Sequence, residues 1–154
     1  MPAHVFQINA SNGGVPKTAL PMANIHALGL DNDRQKDTQH HGGPDRAVSL
    51  YSLEHILALQ TEGHPIFPGS TGENLTLTGV DWERLAPGVR VQVGAVLLEV
   101  TGYATPCHTI MASFREGDFN RIHQKRHPGW SRVYTRVLQP GHLRVGDAVS
   151  LLPG

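Results

Sequence analysis

The sequence predicts a mainly β fold, a small sandwich or barrel, and two observations support this prediction. Short apolar runs follow one another along the whole chain, and 17 glycines and 11 prolines separate them. Short strands bounded by turn-forming residues are typical of small all-β domains. Only one segment carries apolar residues at clear helical spacing. We therefore expect a mainly β domain with a few short helices.

Seven segments are predicted to be strands. They are residues 4–8, 47–51, 75–78, 89–93, 96–101, 132–138 and 147–152. Residues 89–93 alternate between apolar and polar side chains, which predicts a strand with one solvent-facing side. Residues 96–100 are more continuously apolar, and Gly94 with Ala95 forms the turn between these two strands.

One helix is predicted at residues 52–61. Ser52 can cap its N-terminus, an apolar stripe that includes Ile56 follows, and Gly63 marks its end. A shorter helical turn is expected at residues 81–85. The segment 111–127 has apolar residues too irregularly spaced to assign a period.

Length and charge limit the possible functions. A chain of 154 residues predicts a single domain over residues 1–154. The 13 basic residues equal the 13 acidic ones, which argues against a broad nucleic-acid or membrane surface, so any anion site must be local. The sequence has no secretory signal and no apolar stretch of the roughly 20 residues that span a bilayer. We expect a cytoplasmic protein.

Cys107 is the only cysteine and follows the predicted strand 96–101. A disulfide within the chain and a four-cysteine zinc site are therefore excluded. Three alternatives stay open at this point: an inert buried thiol, a reactive thiolate, or a ligand of a metal or cofactor. Pro106 restricts the backbone before it, which suits a sulfur held in a fixed direction.

The activation of this thiol depends on its neighbours. A free thiol has a pKa of about 8.5, so it needs cationic or hydrogen-bonding partners to ionise at neutral pH. Adjacent side chains of an extended backbone point to opposite faces, which argues against a dyad of Cys107 and His108. We expect Lys17, Arg46 or Arg132 to supply the positive charge.

A second motif runs through the segment 31–46. Residues 31–43 are all polar or glycine, which predicts an exposed loop that delivers His40, His41, Gly42 and Gly43 to a site. Two histidines could contribute to a metal site, although further ligands at suitable spacing are missing. Alternatively, the two glycines let backbone N–H groups approach an anion, and Arg46 binds a phosphate. A surface turn whose Arg46 makes an ion pair is the third interpretation.

The third motif is Gly72-Glu73-Asn74 at the start of the predicted strand 75–78. Asn74 offers both a donor and an acceptor, which matches a heterocycle edge that presents both. Its alternative role is to close its own turn.

Taken in order, four segments resemble the MOSC domain, the family named after the C-terminal domain of molybdenum-cofactor sulfurase. They are Val15-Pro16-Lys17, residues 40–48, residues 68–76 and Pro106-Cys107. The resemblance extends over roughly residues 5–152, and it implies a partly closed β-barrel. It also implies binding of the molybdenum cofactor, a molybdopterin that carries a phosphate.

The resemblance also implies roles for individual residues. Cys107 would be the catalytic residue, as a molybdenum ligand or as the carrier of a persulfide. The expected cofactor-binding residues are Lys17, His41, Gly42, Gly43, Asp45, Arg46, Gly72, Glu73, Asn74, Thr109 and Arg132.

Small members of the family resemble enzymes that reduce N-hydroxylated compounds, with electrons from partner proteins. We therefore expect an oxidoreductase that acts on a small-molecule substrate and has an electron-donor partner, and neither nucleic acid nor a membrane as a partner. A sulfur carrier with a sulfur donor or acceptor protein, and a module that delivers the cofactor, are the alternatives. No pyridoxal-phosphate site is expected on this chain, and one cysteine cannot bind an iron–sulfur cluster.

Overall fold

The computed structural model describes residues 2–33 and 43–153, and it confirms a mainly β fold. The strands are β1 His4–Ala10, β2 Thr18–Leu20, β3 Met22–His26, β4 Gly29–Leu30, β5 Val48–Ser52, β6 Leu75–Thr78, β7 Arg90–Val93, β8 Val96–Tyr103, β9 Val133–Gln139, β10 Gly141–Arg144 and β11 Val149–Leu152. Helix α1 spans Leu53–Thr61. Short 3-10 helices lie at Pro44–Arg46, Trp82–Arg84, His108–Ser113, Arg115–Gly117 and Phe119–Ile122.

The strands form two sheets. The eight-stranded sheet has the order β11-β7-β8-β9-β5-β6-β1-β2, and the three-stranded sheet has the order β10-β3-β4. β5 and β6 pair in parallel, whereas β9 and β1 on either side of them pair in antiparallel fashion. A parallel pair needs a long crossover connection, and here α1 lies in it.

Hydrogen bonds close the large sheet in part. The amide of Val5 in β1 donates to Asp147 at 2.9 Å, and Gly146 donates back to the carbonyl of Val5 at 2.9 Å. Val149 at the start of β11 donates to Ala3 at 3.0 Å. These contacts join β1, the second strand from one edge, to the turn before β11 at the other edge. The expected partly closed barrel is therefore confirmed.

The core lies inside this curved sheet and beneath α1. Its strand residues include Val5, Ile8, Leu50, Leu75, Leu77, Val91, Val93, Leu98 and Val133, and α1 contributes Ile56 and Leu59. In β7 the apolar residues are buried and Arg90 is exposed, as the alternation of residues 89–93 predicts.

All seven predicted strands exist, with ends within two residues of the prediction. The helix prediction is also confirmed, because Ser52 caps α1 by accepting a hydrogen bond from the amide of His55 at 3.1 Å. β2, β3, β4 and β10 were not predicted. They are short, and much of β2, β3 and β10 is exposed, so their apolar signal is weak.

The prediction that residues 31–43 form an exposed polar loop is wrong at Asp33, whose side chain is only 3% exposed. Its burial follows from an ion pair with Lys17, which a count of polar residues does not reveal. Residues 34–42 lie outside the described part of the chain. Within residues 2–33 and 43–153, no helix is long and apolar enough to cross a membrane.

Candidate functional site

Cys107 stands where the chain leaves the large sheet, just before the 3-10 helix His108–Ser113. Its backbone is extended, with φ −145° and ψ 179°, and its side chain is half-buried. The sulfur lies 3.0 Å from the hydroxyl oxygen of Thr109. Within the described ranges no hydrogen bond joins Cys107 to His108, in agreement with the argument against that dyad.

Tyr134 in β9 connects Cys107 with two arginines. The guanidinium carbon of Arg46 lies 5.2 Å from the centre of the Tyr134 ring. Burial raises the pKa of Tyr134, whereas the charges of Arg132 and Arg46 lower it and Cys107 raises it. The thiol and both guanidinium groups therefore influence the same phenol electrostatically. The side chains of Cys107, Arg46, Arg132 and Tyr134 lie close to one another.

Sheet register places further residues beside Tyr134. Ser49 of β5 and Gly102 of β8 are its direct partners on the two neighbouring strands, so all three residues share one face of the sheet. A methyl group built on Gly102 would meet nothing within 4 Å. The sheet face next to Tyr134 is therefore open at Gly102.

Arg132 is a buried cation. It is 8% exposed, and its Nη1 donates to the carbonyl of Thr71 at 2.6 Å. Its Nε is buried and has no hydrogen-bond acceptor, and within residues 2–33 and 43–153 no carboxylate forms an ion pair with it. A buried charge is unfavourable unless an opposite charge accompanies it. This guanidinium is therefore suited to an anionic ligand.

Lys17, Asp33 and Asn74 form a buried polar network. Asp33 Oδ2 accepts a hydrogen bond from Lys17 Nζ at 2.7 Å and another from Asn74 Nδ2 at 2.9 Å. Asp33 Oδ1 accepts from the amide of Ser11 at 3.0 Å. The side chains of Lys17 and Asp33 are 5% and 3% exposed.

The amide of Asn74 is engaged within the protein. Its Oδ1 accepts hydrogen bonds from the amide and the hydroxyl of Ser49 at 3.0 and 3.3 Å, while its Nδ2 donates to Asp33. These contacts fix the start of β6 against β5. Asn74 thus joins the Lys17 network to the row that contains Ser49 and Tyr134.

Glu73 organises the turn before β6 and is fully buried. Its carboxylate accepts hydrogen bonds from the amide of Gly69 at 3.0 Å, the hydroxyl of Thr76 at 2.9 Å and the hydroxyl of Thr71 at 2.8 Å. Thr71 also accepts from Arg132 through its carbonyl. One residue therefore connects the buried carboxylate to the buried guanidinium.

Gly72 allows a close approach at this turn. Its φ is 82°, a region that favours glycine, and a methyl group there would lie 3.0 Å from Val15 and 4.0 Å from Lys17 Cε. Arg132 binds Thr71, the residue before Gly72. Lys17 and Arg132 therefore lie at adjacent residues of one turn.

The structure separates the neighbours Asp45 and Arg46. Arg46 stacks on Tyr134, whereas the exposed carboxylate of Asp45 lies 3.5 Å from Arg136. Gly43 precedes the 3-10 helix Pro44–Arg46 with a φ of 83°. His40, His41 and Gly42 fall outside the described residues.

Two residues of this site, Tyr134 and Asp33, were missed by sequence reasoning. The period of a strand places Arg132 and Tyr134 on the same face, a signal that could have identified the tyrosine. Asp33 has no comparable signal, because its partners come from distant segments. A cavity of about 240 Å³ lies elsewhere, between Trp82, Glu83, Tyr103 and Gln124, and none of the predicted site residues lines it.

The structure thus combines a partly closed β-barrel with one half-buried thiol, a buried guanidinium and a second guanidinium stacked on a tyrosine. The chain belongs to the MOSC domain family, whose pattern it matches over residues 37–150. This family is associated in general with binding of the molybdenum cofactor.

Several proteins are similar in sequence. The uncharacterized protein YflK of Bacillus subtilis is 27% identical over 141 residues, which cover 91% of this chain and 63% of YflK. Protein YiiM of Escherichia coli is 30% identical over 134 residues, 81% of this chain and 57% of YiiM. A reductase of Gibberella moniliformis is 33% identical over 118 residues, 73% of this chain but 20% of the reductase. The chain thus spans less than two thirds of the length of each of these relatives.

The fold is also found in a solved structure. The crystal structure of YiiM from Geobacillus stearothermophilus superposes with a TM-score of 0.77 at 23% identity, and the match covers 98% of this chain and 75% of that protein.

Proposed function

We propose that this chain binds the molybdenum cofactor and, with Cys107 as a molybdenum ligand, reduces N-oxygenated small molecules. Three features support the proposal: membership of the MOSC family, a soft sulfur donor at the site, and a buried guanidinium, that of Arg132, whose Nε has no acceptor among the described residues. The name of the Gibberella relative, a reductase, is in agreement with it.

The observation that carries the proposal is the environment of Arg132. Its buried Nε lacks an acceptor, so the free protein leaves a donor of a charged group unsatisfied. A phosphate next to Arg132 and Arg46 would supply both the acceptor and the missing negative charge, because guanidinium groups bind phosphate through paired hydrogen bonds. Lys17, whose side chain lies near Gly72 in the turn that Arg132 also contacts, adds further N–H donors.

The residues present fit the remainder of the cofactor as well. A thiolate is a suitable ligand for a metal that sulfur already surrounds, and Cys107 is half-buried at the open face near Tyr134. When bound, the cofactor supplies the redox chemistry at its metal.

The protein residues around the cofactor would hold it and orient it. The pKa of Tyr134 is raised, so its phenol stays protonated at neutral pH and can donate a hydrogen bond. The hydroxyl of Thr109 holds the direction of the sulfur. The 154 residues contain one cysteine and so cannot bind an iron–sulfur cluster, and a redox group outside them would supply the electrons.

The test is the content of molybdenum and pterin in protein purified from a host that makes the cofactor. We expect both to copurify with the wild-type protein. Arg46→Ala and Arg132→Gln should each lower pterin retention at least about tenfold, because one charge-assisted hydrogen bond contributes about 1.5–3 kcal/mol. Arg132→Lys should retain part of the binding, because it keeps the charge but loses the planar fork.

Arg136→Ala is the matched control. Arg136 is a half-exposed arginine of the same strand as Tyr134, but it pairs with Asp45 and Glu99 on the surface. Its replacement should leave pterin retention unchanged. Absence of pterin from the wild-type protein, or full retention in both Arg46→Ala and Arg132→Gln, would refute the proposal.

Sulfur transfer is the second candidate, and the accessibility of the free thiol favours it. In that case Cys107 would hold a sulfane sulfur as a persulfide, and treatment with cyanide would release thiocyanate from the protein. A module that delivers the cofactor would instead release pterin to an acceptor protein and show neither turnover nor labile sulfur. Reoxidation of bound molybdenum by an N-oxygenated compound distinguishes the leading proposal from both.

A further inference from the structure

Asp33 is a buried carboxylate that pairs with Lys17 next to the proposed phosphate site. It accepts hydrogen bonds from Lys17, Asn74 and the amide of Ser11. Its carboxylate forms an ion pair with the ammonium of Lys17 at 2.7 Å. Asp33 therefore brings a negative charge to the site that its cations must balance.

The position of this charge follows from two chains of contacts. Lys17, the partner of Asp33, lies against Gly72, and Arg132 binds the preceding residue of the same turn. On the other side, Asn74 links Asp33 to Ser49, which lies directly opposite Tyr134. These contacts place the Lys17–Asp33 pair beside the turn that binds Arg132 and beside the row that contains Tyr134, on which Arg46 stacks.

The Lys17–Asp33 pair has no net charge. Its ammonium attracts an anion and its carboxylate repels the same anion, so the two effects oppose each other at this range. Since the groups are almost fully buried, solvent screens them less than it screens exposed charges. The carboxylate therefore reduces the attraction that Lys17, Arg46 and Arg132 would produce without it.

We propose that Asp33 sets the anion affinity of this site by keeping Lys17 neutralised, so that the phosphate group of a ligand binds weakly enough to exchange. This inference rests on the proposed phosphate-binding role of Arg46 and Arg132. It predicts that removal of an acidic side chain strengthens ligand binding, whereas a purely structural Asp33 would weaken binding when it is replaced.

The experiment is calorimetric titration of inorganic phosphate into the cofactor-free protein at two salt concentrations. Asp33→Asn keeps the shape of the side chain and an acceptor oxygen but removes the charge. It should bind phosphate at least about fivefold more tightly than the wild-type protein, and its affinity should fall more steeply with salt. The holoprotein of the same variant should retain more pterin through dialysis.

Two further variants complete the experiment. Glu62→Gln removes a carboxylate that is half-exposed and paired with Arg121, and it should leave phosphate affinity unchanged. Lys17→Met should weaken binding, because it removes a cation next to the site and leaves the Asp33 carboxylate in place. Adding Asp33→Asn to Lys17→Met should then restore tighter binding, and this variant removes both charges of the buried pair together.

Phosphate affinity of Asp33→Asn equal to or below that of the wild-type protein, or an equal gain in Glu62→Gln, would overturn the inference. The two proposals can fail separately. If Asp33→Asn binds phosphate more tightly while no pterin copurifies with any variant, the cofactor assignment fails and the role of Asp33 stands. If pterin copurifies but Asp33→Asn shows no gain, only the role of Asp33 fails.

Discussion

Replacement of Glu73 separates a structural carboxylate from one that contacts a ligand. Glu73 is fully buried, and Gly69, Thr71 and Thr76 donate hydrogen bonds to it. In Glu73→Gln the amide group can face the hydroxyl of Thr71, which can rotate and accept. The remaining carbonyl oxygen still accepts from Gly69 and Thr76, so we expect a small loss of stability, about 1 kcal/mol.

Glu73→Ala should be more harmful. The two threonine hydroxyls can rotate toward other acceptors, but the amide of Gly69 cannot, and an unsatisfied buried donor costs about 1–3 kcal/mol. Loss of the buried side chain adds a cavity. We expect a total of about 3 kcal/mol, which lowers the melting temperature of a chain of this size by roughly 6–12 °C.

Thermal unfolding followed by circular dichroism, together with pterin content per folded protein, measures both effects. The predicted result is a graded loss of stability from wild type to Glu73→Gln to Glu73→Ala, with pterin retention in Glu73→Gln close to wild type. A Glu73→Gln variant that melts like the wild-type protein but loses pterin would refute this reasoning and assign Glu73 to the ligand.

Three other predictions concern the thiol, the open face of the sheet and a half-buried histidine. Cys107→Ser should retain pterin less tightly and lose turnover normalised to bound pterin, whereas wild-type normalised turnover would return Cys107 to an inert role. Gly102→Leu should keep its melting temperature, since open space surrounds the new side chain, but should lose pterin; unchanged retention would show that no ligand occupies that face. Burial lowers the pKa of His55 below its ordinary 6.5, so the unfolded chain binds more protons and stability falls as the pH drops below about 6.5. In His55→Gln the loss of stability that His55 causes at low pH should be absent, and for a half-buried group this loss is less than about 1 kcal/mol. Urea unfolding of both proteins between pH 5 and 7 measures it. Identical pH profiles of stability would contradict the assignment.

Local patterns predicted the large sheet because its strands are buried, and burial leaves apolar runs in the sequence. The same patterns missed β2 and β10, whose stability comes from partners rather than from their own composition. Within the site, the sequence identified Cys107 and Arg132 as candidate functional residues, one shortly after a predicted strand and the other at the start of one. The sequence does not predict the pairing of Lys17 with Asp33, because that contact joins the segment between β1 and β2 to the segment after β4.

The hydrogen bonds between β1 and the turn before β11 have a consequence for folding. They join residues from opposite ends of the described chain, and contacts of such large sequence separation form slowly because a long loop must close first. We expect the hydrogen bonds of Val5 and Val149 to form late during refolding and to break early during unfolding. Hydrogen exchange at these two amides would therefore report opening of the barrel before the central strands β5 and β9 exchange.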